Sequence, residues 1–201
     1  MAKILNRITN NIICEDPLLT IRELVVENKA DLCEVDLFGV DLSEAKLWGA
    51  DLGGANLSEV DLSEANLRYA DLTEADLSGA DLTGAKLVEV DLRKADLTGA
   101  DLTGADLTRA NLACADLTWA DLGDVKLIEV DLSDAKLIEV DLRKAKLIGA
   151  NLRGADLSRA DLYGADLGGA NLTGADLSEA ELWGAKLIGV DLTNAKLNKK
   201  K

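Results

Sequence analysis

The sequence predicts an all-β solenoid, a coil of short parallel strands stacked along one axis. Leucine occupies every fifth position from Leu32 to Leu197, which gives 34 leucines in register. The residue two places before each leucine is always Ala or Val, and the residue just before is nearly always Asp, Asn or Lys. A period of five fits neither an α-helix, which repeats about every 3.6 residues, nor a single strand, which repeats every 2.

The five-residue unit sets the geometry of this coil. If each unit forms one side, its Ala or Val and its Leu point inward and the other three side chains face water. Four sides then close a turn of about 20 residues, and turns stack at a separation of about 4.8 Å. The repeats make about 8.5 turns and a rod about 40 Å long. Predicted core leucines along its length are Leu32, Leu52, Leu72, Leu102, Leu132, Leu162 and Leu197.

The polar positions of the unit suit its corners. Asp or Asn before each leucine is expected to accept a hydrogen bond from a nearby backbone N–H at the turn. All 17 glycines lie in the two positions after leucine, mostly in the second, where a residue with positive φ is expected. Because Glu, Lys and other residues also occupy that position, not every corner is expected to demand glycine. Lys replaces Asp or Asn in seven units, where the side-chain bond must be lost or replaced.

The repeated pattern A-(D/N)-L-x-x over residues 30–198 resembles that of the pentapeptide-repeat proteins. The resemblance covers most of the chain and is highly specific, since the register holds without a break. It implies a right-handed quadrilateral parallel β-helix.

Residues 1–29 lack the period and are predicted to cap the rod, because an open β-helix end exposes unpaired backbone. Ile12 and Ile13 indicate a short strand, and Asp16 and Pro17 are typical of a helix N-cap and first turn. An amphipathic helix is expected to follow, with its apolar face formed by Leu18, Ile21, Leu24 and Val25. The alternative is a helix that docks a partner.

The C-terminal end leaves two possibilities open. Residues 199–201 form a basic tail, and charged lysines there could blunt the exposed sheet edge. The last coil could instead stack on a second copy and form a two-fold homodimer.

The surface charge is predicted to differ between faces. The units that begin at residues 40, 60 and so on to 180 form an acidic face with 11 acidic and 2 basic side chains. It holds an acidic column, a candidate for mimicry of DNA: Asp41, Asp61, Asp81, Asp101, Asp121, Asp141, Asp161 and Glu181. The next face, from residues 45 to 185, has 4 acidic and 7 basic side chains. It holds an apolar stripe that is either an interaction surface or mere cross-coil packing: Trp48, Val88, Ile128, Ile148 and Ile188.

Composition argues against catalysis. The chain has no histidine, which removes the usual general base and the commonest metal ligand, and no phosphate-binding or calcium-binding motif is found. We expect no enzyme activity, no metal, no cofactor and no direct binding of nucleic acid, because a net charge of −15 repels phosphates. No membrane span or signal peptide is expected, and three sparse cysteines favour the cytoplasm.

Two functions follow. The first is a non-catalytic scaffold whose rigid surface binds another protein. The second is suggested by the resemblance, because some pentapeptide-repeat proteins imitate duplex DNA in shape and charge, bind DNA gyrase and protect it from quinolones. The negative charge on the repeats agrees with the second function, whereas the missing C-terminal helix and loops argue against it.

Overall fold

A computed structural model of the protein describes residues 2–6, 12–16 and 20–197. The elements in chain order are β1 (Ala2–Asn6), β2 (Ile12–Asp16), α1 (Ile21–Glu27), β3 (Val35–Asp36), β4 (Asp176–Leu177) and β5 (Lys196–Leu197). From residue 35 to residue 197 the backbone repeats one cycle of five residues, a single bridging residue followed by a tight turn.

Parallel pairing joins residues that are 20 positions apart along the whole rod. Asp36 pairs with Asn56, and the same step continues without a slip to the pairing of β4 with β5. Each coil therefore contains four five-residue units, in agreement with the turn of about 20 residues that the sequence predicts.

Every backbone N–H of a typical unit has an acceptor. In residues 61–65, three N–H groups donate to carbonyls of the neighbouring coils at 2.7–3.1 Å. The N–H of Ala65 closes the turn on the Leu62 carbonyl at 3.0 Å, and the N–H of Ser63 donates to Oδ1 of Asp61 at 2.9 Å. The aspartate is thus the fifth acceptor of the unit, so irregular corners cost no unpaired backbone group.

The interior of the rod is a continuous aliphatic core. The leucines from Leu32 to Leu177 and the Ala and Val residues from Ala45 to Ala180 are almost completely buried. The exception among the predicted core residues is Leu197, which is 50% exposed. The prediction for Leu197 was wrong because burial of a leucine needs a coil or a cap on both sides, and no described residue stacks on the last coil.

The N-terminal end is closed by the segment before the repeats. Strand β1 lies between β2 and β3 and pairs antiparallel with both. Ile4 of β1 and Val25 of α1 are buried against the first coil, and Ile21 packs beside them. The leucines of this coil are consequently as buried as those in the middle of the rod, although no coil precedes them.

The start of α1 differs from its predicted position. Asp16 is the last residue of β2 and not an N-cap, and the helix begins at Ile21. Thr20 is the N-cap: its N–H donates to Oε2 of Glu23 at 2.8 Å, and its Oγ1 accepts from the Glu23 N–H at 3.2 Å. This reciprocal capping box supplies the acceptors that the first helical turn lacks. Pro17, Leu18 and the tail at residues 199–201 lie outside the described residues.

The second turn residue adopts positive φ in every unit that the structure describes, with values between 54° and 74°. Only 14 of these residues are glycine. Glu59, at φ 55°, and Trp119, at φ 62°, show that other side chains accept the left-handed conformation. The third position of a type II turn requires positive φ, so every corner imposes this conformation whether or not glycine occupies it.

We expect substitutions at this corner position to have opposite effects that depend on the native residue. Gly99 is at φ 67° and a Cβ there would meet no atom within 4 Å, so Gly99→Ala should lower the free energy of unfolding by about 1 kcal/mol through backbone strain alone. Glu59→Gly should leave the free energy of unfolding unchanged or raise it by up to about 1 kcal/mol. Glycine relieves the backbone strain at this corner, but it also loses more conformational entropy than glutamate when the chain folds. Urea titration measures both. Equal destabilisation by the two variants would contradict the strain explanation.

Candidate interaction surfaces

The structure brings the acidic column together as a single ladder. Asp41 pairs with Asp61, and the parallel bridges continue through each aspartate to Glu181. Each carboxylate in the middle of the column also has a local role. Oδ1 of Asp61, Asp81, Asp101 and Asp121 accepts the N–H two residues later at 2.8–2.9 Å. The column is therefore first a set of turn caps, with the Oδ2 atoms left to face solvent.

Positive charge lies beside this column at two places. Arg22 of α1 lies 3.9 Å from Oδ1 of Asp41 and also donates to the Ser43 carbonyl. Arg143 pairs with Asp141 and lies 3.7 Å from Oδ2 of Asp161. Within the described part of the chain, the four aspartates between these two places form no salt bridge. This part of the column thus carries negative charge that no salt bridge offsets.

The turn role and the charge of the column can be separated by experiment. Asp101→Asn retains an oxygen acceptor for the Thr103 N–H and should change the free energy of unfolding by less than about 0.5 kcal/mol. Asp101→Ala removes the acceptor and should cost about 1 kcal/mol. Native Asn56 caps Ser58 in the same way, at 3.3 Å. If Asn proved as costly as Ala in urea titrations, the carboxylate charge and not the acceptor would stabilise the turn.

The apolar stripe lies in one column on the neighbouring face, but it is discontinuous. Arg68, Thr108 and Gly168 interrupt it. Trp48, Ile148 and Ile188 are exposed, whereas Val88 and Ile128 are half-buried between their neighbours. Ile188 is 83% exposed because Gly168 offers it no side chain from the coil before and no described residue stacks on the last coil.

Each stripe residue lies in a unit that lacks the turn cap. A lysine stands two positions earlier in every case, and an ammonium group cannot accept a hydrogen bond. These lysines form a lysine column on the same face: Lys46, Lys86, Lys126, Lys146 and Lys186. The second position of a type II turn lies in the β region, which β-branched residues favour. The stripe therefore has a conformational reason to exist that is independent of any partner.

Several lysines at this position form an ion pair with the coil before, although this pair gives the turn N–H no acceptor. Lys126 Nζ lies 3.2 Å from Asp106 Oδ2, and Lys186 Nζ lies 3.0 Å from Asp166 Oδ2. On another face Lys136 pairs with Asp116 at 2.8 Å, which raises the pKa of the Lys136 ammonium. Lys46, Lys86 and Lys146 form no salt bridge within residues 20–197. The acidic column and the lysine column thus each hold charges that form no salt bridge in the described part of the rod.

A similar pair at the C-terminal end predicts a pH effect. Hydrogen bonds from the Ser178 hydroxyl, Lys196 and the Ser178 N–H lower the pKa of Asp176 to about 2. Because the folded pKa lies below the usual value of about 3.9, this stabilisation is present above about pH 4 and disappears as the pH falls through about 2. Asp176→Asn should therefore destabilise the protein at pH 7 and differ little from wild type near pH 2, as measured by thermal melting. A pH-independent difference would contradict the assignment.

Two aromatic pairs on the surface were not predicted from the sequence. Tyr163 and Trp183 stack with ring centroids 5.0 Å apart and an interplanar angle of 25°. Trp48 meets Tyr69 edge to face at 5.9 Å, with Lys29 Nζ 5.8 Å from the Trp48 ring. The signal for the first pair was present, because these residues are 20 positions apart and the repeat stacks such residues.

The repeat geometry agrees with a known family. A family model described as pentapeptide repeats (8 copies) matches residues 28–54, 41–79, 75–113, 115–154 and 155–194. The chain belongs to the pentapeptide-repeat family. No curated protein matches it significantly.

Solved structures of other pentapeptide-repeat proteins are similar to this one. HetL from the cyanobacterium Nostoc sp. strain PCC 7120, involved in the regulation of heterocyst differentiation, is 36% identical over 88% of this chain and 92% of that chain, with a TM-score of 0.49. Rfr23 from the cyanobacterium Cyanothece 51142 is 44% identical over 47% of this chain and 65% of that chain, with a TM-score of 0.46. QnrB1, a plasmid-mediated fluoroquinolone resistance protein, is 28% identical over 82% of both chains, with a TM-score of 0.43.

No residue that the structure describes stacks on the C-terminal end of this pentapeptide-repeat rod, so this end is open within residues 20–197. Leu187, Leu192 and Leu197 of the last coil are all at least partly exposed, next to Trp183, which is 73% exposed. The contrast with the sealed N-terminal end makes this a second candidate surface for a partner.

Other kinds of site find little support in the part of the chain that the structure describes. No three His, Cys, Asp or Glu side chains there are grouped so that they could hold a metal ion. None of its helices is long and apolar enough to cross a membrane. Cys33 and Cys114 are exposed free thiols.

Proposed function

We propose that this protein is a non-catalytic interaction scaffold, a rigid right-handed quadrilateral rod that works in the cytoplasm. The observation that supports this most is the apolar stripe, whose side chains lie in line along one corner of the rod and are partly exposed. Ile148 and Ile188 remain in water although the rod has an interior that takes aliphatic side chains. A surface of this kind binds a protein partner by burial of its apolar side chains, and a rigid sheet loses little entropy in doing so.

The scaffold proposal is tested with two variants that share one local sequence. Residues 126–130 and 136–140 both read KLIEV but lie two units apart, on opposite faces. Ile128→Asp together with Ile148→Asp should abolish capture of a partner that mass spectrometry identifies in pull-downs. Ile138→Asp introduces one such negative charge in the local sequence that Ile128 also has, and it should leave capture intact. Retention of the same partners by the double variant would leave the stripe with only its structural role.

The acidic column favours a second candidate function, mimicry of DNA towards gyrase. The repeats at residues 30–199 carry a net charge of −17. A duplex carries one charge per about 1.7 Å, or about 24 over about 40 Å. The charge is of the right order but lower than that of DNA. The test is DNA supercoiling by gyrase with added protein: inhibition or protection from a quinolone at micromolar protein supports mimicry, and neither effect removes it.

The open C-terminal coil supports a further part of the scaffold proposal, a two-fold homodimer formed end to end. Its unpaired strand edge and exposed leucines are the features that such a contact would cover. Leu187→Asp should then convert a dimer to a monomer in sedimentation experiments. An unchanged sedimentation coefficient would exclude this end as the contact.

A further inference from the structure

We infer that the acidic column of one copy docks side by side against the lysine column and apolar stripe of a second copy, with the two rod axes parallel. This inference rests on the proposed role of the stripe as an interaction surface and names its partner. It concerns the long faces of the rod and is independent of the open C-terminal end.

The two columns share one spacing, because they belong to the same solenoid. Each repeats every 20 residues and rises about 4.8 Å per coil. A partner with another spacing would align at one or two coils only, whereas a second copy in parallel register aligns at every coil. Five lysines then face an acid of the same coil, five positions earlier in sequence: Asp41 with Lys46, Asp81 with Lys86, Asp121 with Lys126, Asp141 with Lys146 and Glu181 with Lys186. Lys126 and Lys186 are already paired with Asp106 and Asp166, so the new ion pairs come mainly from Lys46, Lys86 and Lys146.

The other three rungs contain no lysine. Asn66 faces Asp61 and can donate to it through its amide. Asp106 and Asp166 face acids of the column, but their negative charge is offset by the ion pairs with Lys126 and Lys186.

Both columns hold charges that the described part of the rod itself does not satisfy. Asp61, Asp81, Asp101 and Asp121 form no salt bridge there, and neither do Lys46, Lys86 and Lys146. The turn bonds occupy Oδ1 of each aspartate, so Oδ2 can accept from a lysine of another molecule without disturbing the fold. Because such charges are screened beyond about 8 Å at physiological salt, the two facing columns outweigh the net charge of the distant faces.

The arrangement of the two faces decides how many copies associate. The contact is heterologous, and its two faces adjoin at one corner of a four-sided rod. Repeated contacts therefore turn by about 90° and close after four copies.

Sedimentation velocity over a range of concentrations tests this inference. The wild-type chain should associate up to a tetramer, and its affinity should fall at least tenfold between low and high salt. The triple variant Lys46→Glu, Lys86→Glu, Lys146→Glu should be monomeric at the concentration where wild type associates. So should the quadruple variant Asp41→Asn, Asp81→Asn, Asp121→Asn, Asp141→Asn, which removes four of the acids that face lysines and keeps every turn acceptor.

A matched control changes the same charge on other faces. Asp51→Asn, Asp71→Asn, Asp76→Asn and Asp96→Asn remove four carboxylates outside the acidic face and should leave lateral association intact. Leu187→Asp should also leave lateral association intact, because this substitution affects only an end-to-end dimer. A wild-type chain that stays monomeric at about 1 mM, or association that survives in both column variants, overturns the inference. If the chain is monomeric while capture of a protein partner depends on Ile128 and Ile148, the scaffold proposal stands and only this inference fails.

Discussion

Leu102→Asp is expected to abolish cooperative unfolding of the rod. Leu102 is 0% exposed in the middle of the solenoid and has leucines above and below it. The variant loses the burial of a leucine, worth about 2–5 kcal/mol, and places a carboxylate where no cation or donor is available. Since each coil is supported only by its neighbours, the defect should divide the rod into two weakly coupled halves. Circular dichroism during thermal melting measures the effect.

The control for this prediction is the same substitution at the same repeat position in the last coil. Leu197 is half exposed, so Leu197→Asp should change the melting temperature by only a few degrees when measured at low micromolar concentration. A Leu102→Asp variant that melts like its parent, or a Leu197→Asp variant that is equally damaged, would show that inward stacking of leucine is not what stabilises the rod.

Val25→Asp is expected to detach the N-terminal cap while the middle of the rod stays folded. Val25 is the fully buried contact of α1 with the first coil. A buried carboxylate there should cost several kcal/mol, and local unfolding would expose the leucines from Leu32 to Leu47. Hydrogen exchange should show protection of the first-coil amides falling by a factor on the order of 100, with coils near Leu102 unchanged.

Glu27→Ala is the control for the cap, because Glu27 lies on the same helix and is exposed. It should leave exchange in the first coil as it is in wild type. If Val25→Asp accelerated exchange equally throughout the rod, the cap and the solenoid would unfold as one unit. Unchanged exchange in Val25→Asp would show that the first coil needs no cover.

The repeat could be predicted from sequence because its interactions are local and repeated. An inward Leu, a small inward residue and an acceptor before the leucine are visible in each unit, and one register of 20 residues satisfies all of them. The same register would have predicted the stack of Tyr163 on Trp183. The positive φ at every corner was only partly predictable, because glycine indicates it at 14 positions and residues such as Trp119 hide it elsewhere.

The sequence by itself determined that this chain is a pentapeptide-repeat solenoid, which residues face inward and which charges share a face. Only the tertiary structure decided the two ends. Strand β1 exists because the first coil offers it an edge, and Leu197 is exposed because no described residue covers the last coil. A periodic sequence specifies how one coil contacts the next, whereas the ends depend on segments outside the period. The pairing of Lys186 with Asp166 was likewise settled by side-chain geometry that the spacing does not contain.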